Sequence, residues 1–164
     1  MPHGKLFFKT ASTNGWVDAY DTYGMSLEDG AVSKIITPAP HKAPVTSSGV
    51  TSHGRAMLGS SIGKKDGRTM SFDVHFTGAT EAQFLTRYYA FCQQVLDAGY
   101  VKMYVVLPGG DPFPKFNNAH GAMHLIYQDC QQFQQYQMGL AKFTLVFEEP
   151  HPEIIKDAEP PITQ

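Results

Sequence analysis

Three features of this sequence predict a mainly β domain of the α+β class, an antiparallel β-sandwich or partly open barrel with one flanking helix. Met70, Phe72, Val74 and Phe76 alternate with Ser71, Asp73 and His75 in strict period two, which marks a strand with one buried face. Only the stretch at about 80–98 carries helical periodicity. The connections after it are too short for the crossovers that parallel strands require.

Taken in order, Lys5–Lys9 contains the apolar run Leu6-Phe7-Phe8 and is ended by the polar stretch Thr10 to Gly15, so it suits a strand. Trp16–Tyr20 reads as a second, irregular strand. Asp21-Thr22-Tyr23-Gly24 and Glu28-Asp29-Gly30 read as turns in which glycine supplies a positive φ. Met25–Leu27 and Ala31–Thr37 read as strand segments. From Pro38 to Gly67 prolines, glycines and serines replace apolar periodicity, and a stretch of that length inside a domain is either functional or disordered. It is read as a long extended loop forming a projecting arm, with a solvated loop as the alternative.

After the alternating strand, Thr80 and Gln83 have capping-box spacing and start the helix. Phe84, Leu85, Tyr88, Phe91, Cys92, Val95 and Leu96 recur at three- and four-residue steps and form its core stripe, and Gly99 stops it. Tyr100–Leu107 is rich in β-branched and aromatic residues and reads as a strand, ended by Pro108-Gly109-Gly110-Asp111-Pro112. Gly121–Gln128 and Gln131–Phe147 supply two more extended segments, with Phe143, Leu145 and Phe147 on one face. Pro150 and Pro152 end the last of them.

The 164 residues suit one domain, and their 17% charged content lies below the roughly 25% usual for a soluble domain, which suggests surface covered by partners. A net charge of −2 argues against a protein built to grip nucleic acid. No apolar run approaches the roughly 18–20 residues that span a bilayer, and the first residues do not read as a secretory leader, so synthesis in the cytoplasm without a signal peptide is expected. Cys92 and Cys130 are read as buried thiols.

Chemistry is sparse. His120 and His124 share a strand face but sit roughly 13 Å apart at that spacing, too far for one ion, so no metal is expected; an enzyme using them with Asp111 is the outside reading. Gly59-Ser60-Ser61-Ile62-Gly63-Lys64-Lys65 is one residue short of a phosphate-binding loop and lacks its Ser or Thr. Cys92 lies on the apolar stripe of the helix. Glu148 and Glu149 point to opposite faces and look like the solvated end of a strand. No catalytic residue and no cofactor are therefore expected. A small carbohydrate- or host-surface-binding module, with Trp16, Tyr20 and Tyr23 as a stacking platform, is the alternative to a structural role.

The order of elements carries a resemblance. An Arg68-led alternating strand precedes Thr80-Glu81-Ala82-Gln83-Phe84-Leu85-Thr86-Arg87-Tyr88-Tyr89-Ala90-Phe91, then a strand ending in Leu107, then Phe143-Thr144-Leu145-Val146-Phe147-Glu148-Glu149-Pro150-His151-Pro152. This resembles the tail-tube-like domain of phage distal tail proteins, whose last strand ends in a Phe-acidic-Pro pattern. The resemblance implies one such domain at 1–152 with its arm at 38–67, followed by a polar tail at 153–164. It also implies a virion tail protein, a homohexameric ring at the tail tip, and neighbours among tube, tail hub or fibre proteins, with phage DNA passing through the lumen without specific binding and no membrane contact. Larger relatives carry a carbohydrate-binding-like domain after the final strand, and here a dozen residues follow Pro152, which speaks against host-surface binding by this chain and makes a plain tube or adaptor role a close competitor of the distal-tail one. Lys42, Lys64, Lys65 and Arg68 are the candidate inter-subunit contacts, with ordinary solvated side chains as the alternative for each.

Overall fold

The computed structural model describes residues 4–47, 53–116 and 119–152. Its elements run β1 (Lys5–Lys9), β2 (Val17–Asp18), α1 (Ala19–Tyr23), β3 (Met25–Leu27), α2 (Ala31–Ile36), β4 (Thr46–Ser47), β5 (Ala56–Met57), β6 (Arg68–Thr77), α3 (Glu81–Gln94), β7 (Tyr100–Val106), β8 (Pro112–Phe113), β9 (Lys115–Phe116), β10 (Ala119–His120), β11 (Met123–Gln137) and β12 (Leu140–Glu149). Eight strands join in one sheet in the order β2-β1-β7-β11-β12-β6-β3, with β8 on the end of β7. Every pairing is antiparallel.

The sheet curls until Cα atoms of β1 and β3 approach within 8 Å, but these two strands do not pair. Of the two architectures the sequence allowed, this is the partly open barrel. Helix α1 packs against both strands at the seam, and α3 packs on α1 and β6.

Phe76 shows why the interior is aromatic. Its ring meets Phe91 and Phe143 at 5.2 Å, Tyr88 at 6.1 Å and Phe84 at 6.5 Å, so β6, β12 and α3 share one cluster. Burying a side chain of this size contributes about 1.5–3 kcal/mol. Both faces of β12 are covered, because Thr144 and Val146 are buried as well as Phe143, Leu145 and Phe147. Among the stripe residues, Phe84 and Phe91 of α3 and Val95 at its C-cap are buried, whereas Leu85 is exposed and lies off the core. Thr80 caps the helix through Gln83 N at 3.1 Å, while the Gln83 side chain reaches Ala79 N rather than that of Thr80.

Three expectations are corrected. Ala31–Thr37 is not a strand but the helix α2, because Gly30 at φ 81° turns the chain and Ala31 and Ile35, four apart, bury on one face. The Trp16–Tyr20 segment is extended only at Val17–Asp18. Asp18 then accepts a hydrogen bond from Tyr20 N at 2.9 Å and starts α1, which Gly24 ends at φ 69°.

The third concerns the end of the chain. There is no break near Asp129–Cys130; β11 runs on to Gln137 and turns at Met138-Gly139, both with positive φ, into β12. Along this pairing Gln128, Gln131 and Gln134 have no opposite residue, so three bulges follow one another at three-residue intervals. Apolar alternation is lost there for that reason.

Candidate interaction surface

Between α2 and β6 the chain leaves the barrel as a ribbon. Asp66 N donates to Pro40 O at 2.8 Å, Lys42 N to Lys64 O at 2.8 Å and Leu58 N to Val45 O at 2.9 Å, and β4 pairs with β5 beyond them. The stretch from Pro40 to Ser47 spans about 23 Å at the usual rise per strand residue. Gly59–Ser61 forms a single 3-10 turn, and the chain then continues into β6 with no helix between, so the glycine-rich stretch is not arranged as a phosphate loop. Val45, Met57, Leu58 and Ile62 on this ribbon are all at least half exposed. A two-stranded ribbon with no core of its own is marginal in water, and this one holds its apolar side chains outward.

At its root stands Arg68, the first residue of β6. Its guanidinium donates to Ile35 O at 3.0 Å and to Thr37 O, which are carbonyls left over at the end of α2. It also meets Glu149 Oε2 at 3.3 Å and Met123 Sδ at 3.2 Å. Side-chain exposures of 10% and 5% make Arg68 and Glu149 an interior ion pair. One expectation changes, since Glu149 is not a solvated strand end; Arg68 is bound within its own chain. Burial pushes the Glu149 carboxyl above the ordinary carboxylate range, against the lowering effect of Arg68 and, more weakly, Lys65.

Lys42, Lys64 and Lys65 are exposed and line one cleft of about 530 Å³ with Pro150, His151 and Pro152. The structure thus gathers three of the four candidate residues where the arm meets the end of β12.

A second concavity lies at the seam. It measures about 440 Å³, with Leu6, Met25 and Leu27 in its wall beside Asp18, Tyr20 and Asp21. His75 also lines it and holds Glu28 Oε1 at 2.7 Å. The sequence gives little sign of this groove, because its residues come from three segments that only the curling of the sheet brings together.

The other candidates are dispersed. Tyr23 is fully buried, its hydroxyl on Gln94 Oε1 at 2.7 Å, whereas Tyr20 is 60% exposed, so Trp16, Tyr20 and Tyr23 do not form one stacking platform. Trp16 packs edge-on against Tyr104 and His120, and His120 stacks on Tyr104 at 4.0 Å. His124 is buried in β11, and Asp111 lies near Lys115 at 4.0 Å. Among the described residues no three His, Cys, Asp or Glu side chains gather as a metal set. Burial raises the Cys92 thiol pKa despite the hydrogen bond to Tyr88, and desolvation chiefly, then Cys92, pushes the Tyr88 phenol up to about 12. Neither cysteine forms a disulfide. No helix among the described residues is long and apolar enough to cross a membrane.

Fold and surface together define a class: a partly open antiparallel barrel, crossed by one long helix, that extends a two-stranded arm. Solved structures of the phage p2 baseplate in its activated conformation contain a chain of this fold. With Sr the TM-score is 0.52 at 8% identity over 88% of this chain and 43% of the other; with Ca it is 0.52 at 8% identity over 90% and 44%. The chain therefore spans less than half the length of the chains it matches, and the likeness is one of fold. No protein-family model and no curated protein sequence matches it.

Proposed function

We propose that the chain is a non-catalytic structural subunit of a phage tail, a distal-tail or tail-tube-like adaptor that closes with copies of itself into a ring of six. The observation that carries this reading is the shared fold with phage p2 baseplate chains over about nine-tenths of this chain. The outward apolar arm supports it, because such a ribbon gains order by lying on a neighbour. In this reading the arm and the Lys42–Lys64–Lys65 cleft meet adjacent subunits, tube, hub or fibre proteins stack on the ring, and DNA passes through the lumen without base-specific contact. The protein is made in the host cytoplasm and resides in the virion tail.

Electron microscopy of the purified full chain and of tail particles tests the reading. Six-fold rings are expected. A species that stays monomeric at high concentration, and no density for the chain in the tail, would overturn it.

A further inference from the structure

We propose that the seam groove between β1 and β3 receives the arm of a second copy of this chain, so that every contact joins one arm to one seam. The inference rests on the ring-forming reading above and identifies the contact that would build the ring.

Charge is the first argument. Residues 38–67 carry Lys42, Arg55, Lys64 and Lys65 against Asp66 alone, while residues 16–37 carry Asp18, Asp21, Glu28 and Asp29 against Lys34 alone. Glu28 already faces Lys142 at 3.8 Å and His75 at 2.7 Å, so the basic arm is matched at the groove by Asp18 and Asp21. Opposite fields of this kind steer two surfaces together and fix which pair meets.

Shape and polarity agree. The groove has a volume in the range of pockets that hold a bound group, with the exposed Tyr20 ring between Asp18 and Asp21 at its side, while Leu6, Met25 and Leu27 in its wall expose 3% or less. The arm offers the complement, since Met57, Leu58 and Ile62 stand out from the ribbon with Arg55 and Lys64 beside them. Lys5 also lines the groove and opposes the arm, but it stands alone against the acidic residues of α1 and its cap.

Among the described residues β3 pairs only with β6, and β2 covers only Phe7 and Phe8 of β1, so the edge at Lys5–Leu6 and the outer edge of β3 border the groove without a strand partner, with α1 packed beside them. Proteins cover such edges.

Finally, the arm is rooted at Arg68 and the groove sits at His75, seven residues along β6 and about 23 Å away. Donor and acceptor are different surfaces of one chain, and repeating a head-to-tail contact gives a ring when the rotation closes.

The test uses the full chain, with oligomer mass measured by light scattering across a concentration series. A groove variant, Asp18→Asn with Asp21→Lys, keeps an Asn cap on α1. An arm variant, Arg55→Glu with Lys64→Glu, changes two exposed residues. Each alone is expected to weaken assembly at least tenfold, and an equimolar mixture is expected to regain it, because the acidic arm then meets the basic groove. As a second readout, Tyr20→Cys with Met57→Cys in one chain should give an oxidised ladder of covalent oligomers that neither single variant gives. Wild-type rings indifferent to both charge variants, or a mixture that stays dissociated, would overturn the contact while leaving the ring reading standing. A wild type that ends as a closed dimer or stays monomeric would overturn both.

Discussion

The barrel and the arm follow opposite rules with the same residue types. In the barrel, Phe72, Phe76, Phe143 and Phe147 have no exposed surface beyond 2%, and β12 is covered on both faces. On the arm, Val45, Met57, Leu58 and Ile62 are held in water by a ribbon whose hydrogen bonds enclose nothing. Apolar side chains that stabilise the first region by burial can serve the second only when another surface covers them. Burial of apolar side chains belongs to the barrel, and their exposure to the arm.

Substitutions can break this contrast, beginning with the interior. Phe76→Ala removes the ring at the centre of the aromatic cluster and is expected to cost about 3–5 kcal/mol, read as a lower urea midpoint. A change of less than 1 kcal/mol would mean that the cluster is not the core. Arg68→Ala, at the junction of the two regions, leaves Glu149 buried without its cation and is expected to cost about 3 kcal/mol near neutral pH.

That second loss carries a pH signature. Because burial raises the folded pKa of Glu149, its protonated form is favoured in the folded state, so its stabilising contribution is present below the unfolded value near 4.5 and is lost as pH rises through the folded pKa. The Arg68→Ala deficit should therefore shrink on acidification, and a deficit flat across that window would contradict the pairing. The smallest effect belongs to the arm: Met57→Ser with Leu58→Ser should move the melting curve of a dilute, unassembled sample by less than about 0.5 kcal/mol. The same pair should weaken self-association measured by light scattering. A large stability loss in the dilute sample would show that the arm is part of the core.

How much was legible beforehand follows from how local each signal is. The alternation in β6 and the Thr80 cap of α3 are written in adjacent residues, and both were readable. Helix α2 was missed because Val32, Ile35 and Ile36 favour strands, and the signal that decides is only the Ala31–Ile35 spacing with Arg68, far along the chain, closing the helix end. The β11–β12 turn was missed because Met138 sits at φ 46°, where Asn or Asp would have announced it. For the candidate site, the arm was visible as a change in composition, and its three lysines do gather. The seam groove and the interior role of Arg68 depend on the sheet's curvature, which no short segment encodes.

The bulges in β11 bear on how the protein tolerates changes in length. Each of Gln128, Gln131 and Gln134 is a spare residue without an opposite number, so deleting one irons out a single kink and leaves the rest of the ladder in step. The same deletion within β12, whose register with β6 is unbroken from Leu140 to Glu149, would turn every following side chain over. One strand of the hairpin can gain or lose residues by drift, and its partner is held to a fixed count.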